Sequence, residues 1–166
     1  QPLLKRYSPI TTIGIEPIVG AGSARRYFRV HYPQHSVIAV IGNNIAENES
    51  FLYFTKVFSE LDLPVPRILA VADDKMSYLT SDDGSLSLLG YIEILRKEGN
   101  EDAITSVYEN VLSLLINFQV NGGAVVDFQK CFARQCFDKQ QMMFDLQYFK
   151  YYYLKLTEVP FNDSLL

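Results

Sequence analysis

Gly20, Gly22 and Ser23, followed by Arg25, Arg26 and Arg29, are the residues whose types and spacing best suit an anionic ligand. Glycine reaches positive φ without steric cost and leaves backbone N–H groups unshielded, the hydroxyl adds a donor, and guanidinium forks match phosphate oxygens. These residues sit between two strand-like runs, so they read as a hairpin able to cover a phosphate. They also suit an ordinary β-turn. Other chemically capable residues say less. His31 and His35 flank a turn with no serine, cysteine or acidic partner at a telling spacing, which fits strand-end histidines better than a general base. Cys131 and Cys136 stand close together but away from both histidines, in no recognised zinc pattern. Reduced thiols in a cytoplasmic protein are the expectation.

The elements that must position these groups come from a chain of 166 residues with 48% hydrophobic content, enough to bury a substantial core. Its net charge of −4 gives no broad footprint for nucleic acid or an anionic membrane, so any positive site must be local. The amino terminus has no signal-peptide pattern, and the apolar runs fall short of the roughly 20 residues of a membrane span. No nucleic-acid or membrane partner is expected.

Five short strands are expected at 10–19, 26–31, 36–41, 67–71 and 75–80, from β-branched runs broken by turn residues. One helix, at about 46–61, interrupts them. It carries Phe51, Phe54, Phe58 and Leu61 at helical spacing and stops at Leu63-Pro64-Val65-Pro66. Beyond Gly84 the pattern turns helical. A helix is expected at 86–95, and a second carries the apolar stripe Ile104, Val107, Tyr108, Val111, Leu112, Leu115 and Phe118, ending at Asn121-Gly122-Gly123. A third, at 139–156, opens on Asp138 with Gln141 in a capping-box pattern. The fold class expected is α+β: a five-stranded antiparallel lobe over 1–80, a connector at 81–84, and the first helices of a helical lobe over 85–166. The aromatic run Tyr148-Phe149-Lys150-Tyr151-Tyr152-Tyr153 is expected to pack within that second lobe, with stacking on a ligand as the alternative.

This order of elements is that of a protein-kinase-like amino-terminal lobe. Five segments extend the likeness: Gly22-Ser23-Ala24-Arg25-Arg26-Tyr27-Phe28-Arg29-Val30, Glu47-Asn48-Glu49-Ser50-Phe51, Leu63-Pro64-Val65-Pro66-Arg67-Ile68-Leu69, Tyr78-Leu79-Thr80-Ser81-Asp82-Asp83-Gly84 and Phe137-Asp138-Lys139-Gln140-Gln141-Met142-Met143. In them the chain resembles the aminoglycoside phosphotransferase and choline kinase superfamily, above all its bacterial branch that includes kinases of anomeric amino-sugar hydroxyls. The resemblance implies the nucleotide-binding part of an ATP-dependent, Mg²⁺-requiring small-molecule kinase acting on a sugar-like acceptor. It further implies that Gly20, Gly22 and Ser23 fold over the phosphates, and that Thr80, Ser81 and Asp82 form a hinge against the adenine edge. For Asp82-Asp83-Gly84 a solvated turn is the alternative.

The chain departs from the pattern in two places. Such kinases carry a third-strand lysine that joins the α- and β-phosphates to a helix glutamate, but here the slot near Val40 in Ser36-Val37-Ile38-Ala39-Val40-Ile41 holds no cation. Losing that contact removes about 1.5–3 kcal/mol, so Arg25 or Arg29 must substitute or nucleotide binding is weak. Both could equally be surface charges. Glu47 shares the helical arc of Phe51, Phe54 and Phe58 and is the inward carboxylate, unless it serves only the helix macrodipole. The second departure is that no catalytic-loop aspartate followed by a magnesium-binding asparagine occurs in these 166 residues. The expectation is therefore a piece whose remaining helical lobe belongs to a longer polypeptide and which is inactive alone. The alternative is a non-catalytic kinase-fold module that binds nucleotide or a partner.

Overall fold

Two runs make the centre of the sheet, the aromatic-bearing β2 (Arg26–His31) and the β-branched β3 (Ser36–Ile41), antiparallel partners across the Tyr32-Pro33-Gln34-His35 turn. In this computed structural model, which describes residues 2–8, 12–19, 24–132 and 134–162, helix α1 (Pro2–Tyr7) precedes strand β1 (Gly14–Ile18). After β3 come helix α2 (Ile45–Glu60), then β4 (Ile68–Val71) and β5 (Ser77–Ser81). All neighbouring strands are antiparallel, in the order β1-β2-β3-β5-β4. The protein is thus α+β, with one five-stranded antiparallel sheet and several helices.

Side chains alternate across a strand, so the register assigns each residue to a face. Val30, Tyr32 and Val37 are buried on one face with Leu4 and Tyr7 of α1 against them. On the other, Glu16 pairs with Arg29, Arg29 with Ile38, and Ile38 with Thr80, making a row across four strands. The parallel row Ile18, Tyr27, Val40 and Tyr78 lies next to it, and the Phe51 ring of α2 stacks on Tyr78 at 5.2 Å. Two side-chain caps fix α2 on this face. The Asn44 carboxamide accepts the Glu47 N–H at 3.1 Å, and buried Asn48 donates to the carbonyls of Gly42 and Lys75, both at 2.9 Å.

The second half packs around α3 (Leu88–Lys97) and α4 (Glu101–Asn117), whose Ile92, Leu95 and Ile104 are buried together. Ser87 and Asn100 cap these helices. At its end α4 widens into a single π-turn, Phe118–Gly122, that sets Phe118 edge-on to Phe58 at 5.1 Å and lays Gly122 beneath the Phe58 ring. A short 3₁₀ turn, Phe128–Lys130, then leads to α5 (Lys139–Tyr152), capped by Asp138 accepting from the Gln141 N–H as the sequence predicts.

The differences from the sequence expectation have local causes. β5 starts later and ends later than predicted because Asp74 and Lys75 form a tight turn, Lys75 at φ 56°, with the Met76 N–H bonded to the Asp74 carboxylate. Ser81 consequently belongs to the sheet, and the connector begins at Asp82. α5 breaks at Tyr153, which leaves helical dihedrals before a 3₁₀ turn at Leu154–Leu156. The aromatic run is not packed away: Tyr148 is 56% and Tyr152 66% exposed. Helix α1 has no counterpart in the sequence reading. Residues 10 and 11 of the expected first strand lie outside the described residues. Among the described residues no helix is long and apolar enough to cross a membrane.

Candidate functional site

Arg29 reaches from the centre of β2 to the connector. Its Nε donates to Asp82 Oδ2 at 2.6 Å and its Nη2 to Asp82 Oδ1 at 3.1 Å, a two-pronged pair, while Nη2 also donates to the Gly84 carbonyl at 3.2 Å. Glu16 of β1 stands 3.6 Å from the same guanidinium. Ser36 Oγ donates to Asp82 Oδ2 at 2.6 Å and the Gly84 N–H to Oδ1 at 3.1 Å. The Arg29 hydrogen bond, with those from Ser36 and Gly84, holds the Asp82 carboxyl at about 2 against the opposing effect of burial. Asp82 is therefore ionised across the neutral range.

A second ion pair stands at the α2 end of the same face. Arg25, just before β2, lies 3.1 Å from Glu47 Oε1, donates to the Glu47 carbonyl at 3.0 Å, and rests its guanidinium 5.3 Å from the centre of the Phe51 ring. Tyr78 is buried beside them, and that burial pushes its phenol up to about 12 even though the Arg25 charge pulls the other way. It stays neutral.

Beside the Arg29–Asp82 pair runs a cleft of about 440 Å³, walled by Ile18, Tyr27, Ile38, Val40, Tyr78 and the Phe51 ring that carries Arg25, and bounded by Thr80 and the connector. Its size is that of a small-molecule site, with mostly apolar walls and polar groups gathered at the connector.

Of the residues singled out from the sequence, Arg29, Thr80, Ser81 and Asp82 all line this cleft, while Arg25 and Glu47 pair with each other outside its lining, behind Phe51. Gly20, Gly22 and Ser23 lie outside the described residues. Arg29 turns to Asp82 and Glu16, leaving Arg25 as the arginine that meets the helix glutamate. The Ser81 N–H donates to the Arg67 carbonyl at 2.9 Å and its hydroxyl accepts the Arg67 N–H, so that backbone donor is committed to the sheet. Three participants escaped the sequence reading: Ser36, Glu16 and Asn48. The only sequence signal for Asn48 is Gly42, where a Cβ would come within 2.4 Å of the Asn48 carboxamide oxygen.

Among the described residues no cluster of His, Cys, Asp and Glu is arranged to hold a metal ion. Comparison with protein families, with characterised proteins and with solved structures found no match.

Proposed function

We propose that the cleft beside the Arg29–Asp82 pair binds an adenine nucleotide whose phosphates reach past Phe51 to the Arg25–Glu47 pair, and that the chain is the nucleotide-binding part of an ATP-dependent, Mg²⁺-requiring kinase of a sugar-like hydroxyl. The observation that carries this reading is the Arg25–Glu47 pair, whose arginine rests on Phe51, one of the cleft's apolar walls. In kinases a cation paired to a helix glutamate orients the α- and β-phosphates, and here the cation comes from the residue just before β2 instead of from β3. The sheet order, with α2 placed between the third and fourth strands, agrees with a kinase-like lobe. The base and the magnesium ligands of phosphoryl transfer have no match in the sequence, so the testable property of this chain is binding.

Calorimetry with ATP and with adenosine separates the parts of the site. Arg25→Ala should weaken ATP roughly tenfold or more, the value of a lost charge-assisted contact, and change adenosine little. Equal losses for both ligands, or no ATP binding by the wild type, would defeat the reading.

The cation-free β3 favours a second reading, a kinase-fold module that binds nucleotide without transferring phosphate. ATP bound with and without Mg²⁺, but no phosphorylation of a sugar panel by the longest available form of the protein, would select it.

A further inference from the structure

The segment 127–132, which joins the π-turn to α5, lies across α2 on the side away from the sheet. Two of its backbone donors end on α2 side chains. The Asp127 N–H donates to Tyr53 Oη at 2.8 Å and the Phe132 N–H to Ser50 Oγ at 3.2 Å, with Lys130 Nζ 4.3 Å above the Tyr53 ring. Ser50 and Tyr53 are three residues apart and so share one face of the helix. The strap is itself ordered locally, since the Asp127 carboxylate caps its 3₁₀ turn by accepting the Gln129 N–H at 3.1 Å.

On its opposite side the same length of α2 is tethered to the sheet by Asn48, and Glu47 lies beside that tether in the first turn. A first turn has unpaired N–H groups and frays readily, so a carboxylate placed there keeps its position only if the helix is held in rotation and in depth. Asn48 fixes depth at one point. A second point of attachment, on another face, is needed to stop the helix rolling about that tether.

We infer that the 127–132 strap is this second attachment, and that Tyr53 and Ser50 are positioning residues for the Arg25–Glu47 pair. The helical half then governs the Arg25–Glu47 pair without touching it. The functional consequence rests on the nucleotide reading above; the mechanical coupling does not.

Tyr53→Phe removes the acceptor and keeps the ring under Lys130. Amide hydrogen exchange should quicken at Asp127 and also at Glu47, whose N–H belongs to the Asn44 cap, and Ser50→Ala should act the same way at Phe132 and Glu47. In a cycle of Tyr53→Phe with Glu47→Gln, the double variant should lose less urea midpoint than the two single shifts added together. Its ATP affinity should be no weaker than that of Glu47→Gln alone, while Tyr53→Phe alone weakens ATP severalfold. Faster exchange confined to the strap, or additive midpoints, would overturn the inference. If the wild type binds no ATP the nucleotide reading fails, and the exchange and urea cycle still decide the strap.

Discussion

Asp82 accepts four hydrogen bonds, two from Arg29 and one each from Ser36 and Gly84. Its carboxyl, at about 2, lies below the roughly 3.9 of an unfolded aspartate, so between those values the unfolded chain holds more protons than the folded one. Stability from this group is complete above pH ~4 and is lost as pH falls toward 2. Asp82→Asn should therefore lower the unfolding midpoint at neutral pH and flatten its fall between pH ~4 and 2, as a denaturation series across that range would measure. A fall as steep as in the wild type would assign the acid sensitivity to other carboxylates. Arg25 and Glu47 differ in kind, because the glutamate is 36% exposed and so partly solvated. One pair fastens the connector while the other joins the entry of β2 to α2.

At the scale of elements, contact between the halves of the chain depends on close approach of α2 to the end of α4. A Cβ at Gly122 would fall 2.8 Å from Phe58 Cε1, and Phe58 is itself held edge-on by Phe118. Gly122→Ala should therefore cost about 1–3 kcal/mol, the usual penalty of overpacking, measured by urea unfolding. An unchanged midpoint would mean that Phe58 swings aside freely. How far such features could be read in advance depends on the range of the interaction that makes them. Strands β2 and β3 are legible because alternation and the Tyr32-Pro33-Gln34-His35 turn act over a few residues, and α2, α4 and α5 because their apolar spacing or caps do. Helix α1 is too short to signal itself and exists through tertiary contacts. The Arg29–Asp82 pair spans 53 positions, so the sequence could nominate both residues but not join them. Asn48, a polar residue in a polar stretch, looks like a solvent-facing position until the sheet is in place. The π-turn that brings Gly122 under Phe58 likewise has no local signature.

The whole molecule divides its apolar surface unevenly. The sheet side is covered by α1 and α2, whereas Leu112, Leu115 and Ile116 of α4 and Phe144, Tyr148 and Tyr152 of α5 are each 48–66% exposed. Patches of this kind favour association, which salting-out conditions strengthen. Sedimentation should therefore show mass rising with protein concentration and rising further in ammonium sulfate; a constant monomer mass would mean that these side chains stay wetted. The opposite end of the chain protects a different vulnerability. β4 is the last strand of the sheet, and beside it Arg6 of α1 donates to the Val71 carbonyl at 2.6 Å and pairs with Asp73 at 2.8 Å. Unsheathed strand borders recruit other chains into fibrils, and Arg6 works as a selvedge there by occupying the Val71 carbonyl. Displacing it would endanger solubility in a region remote from the cleft.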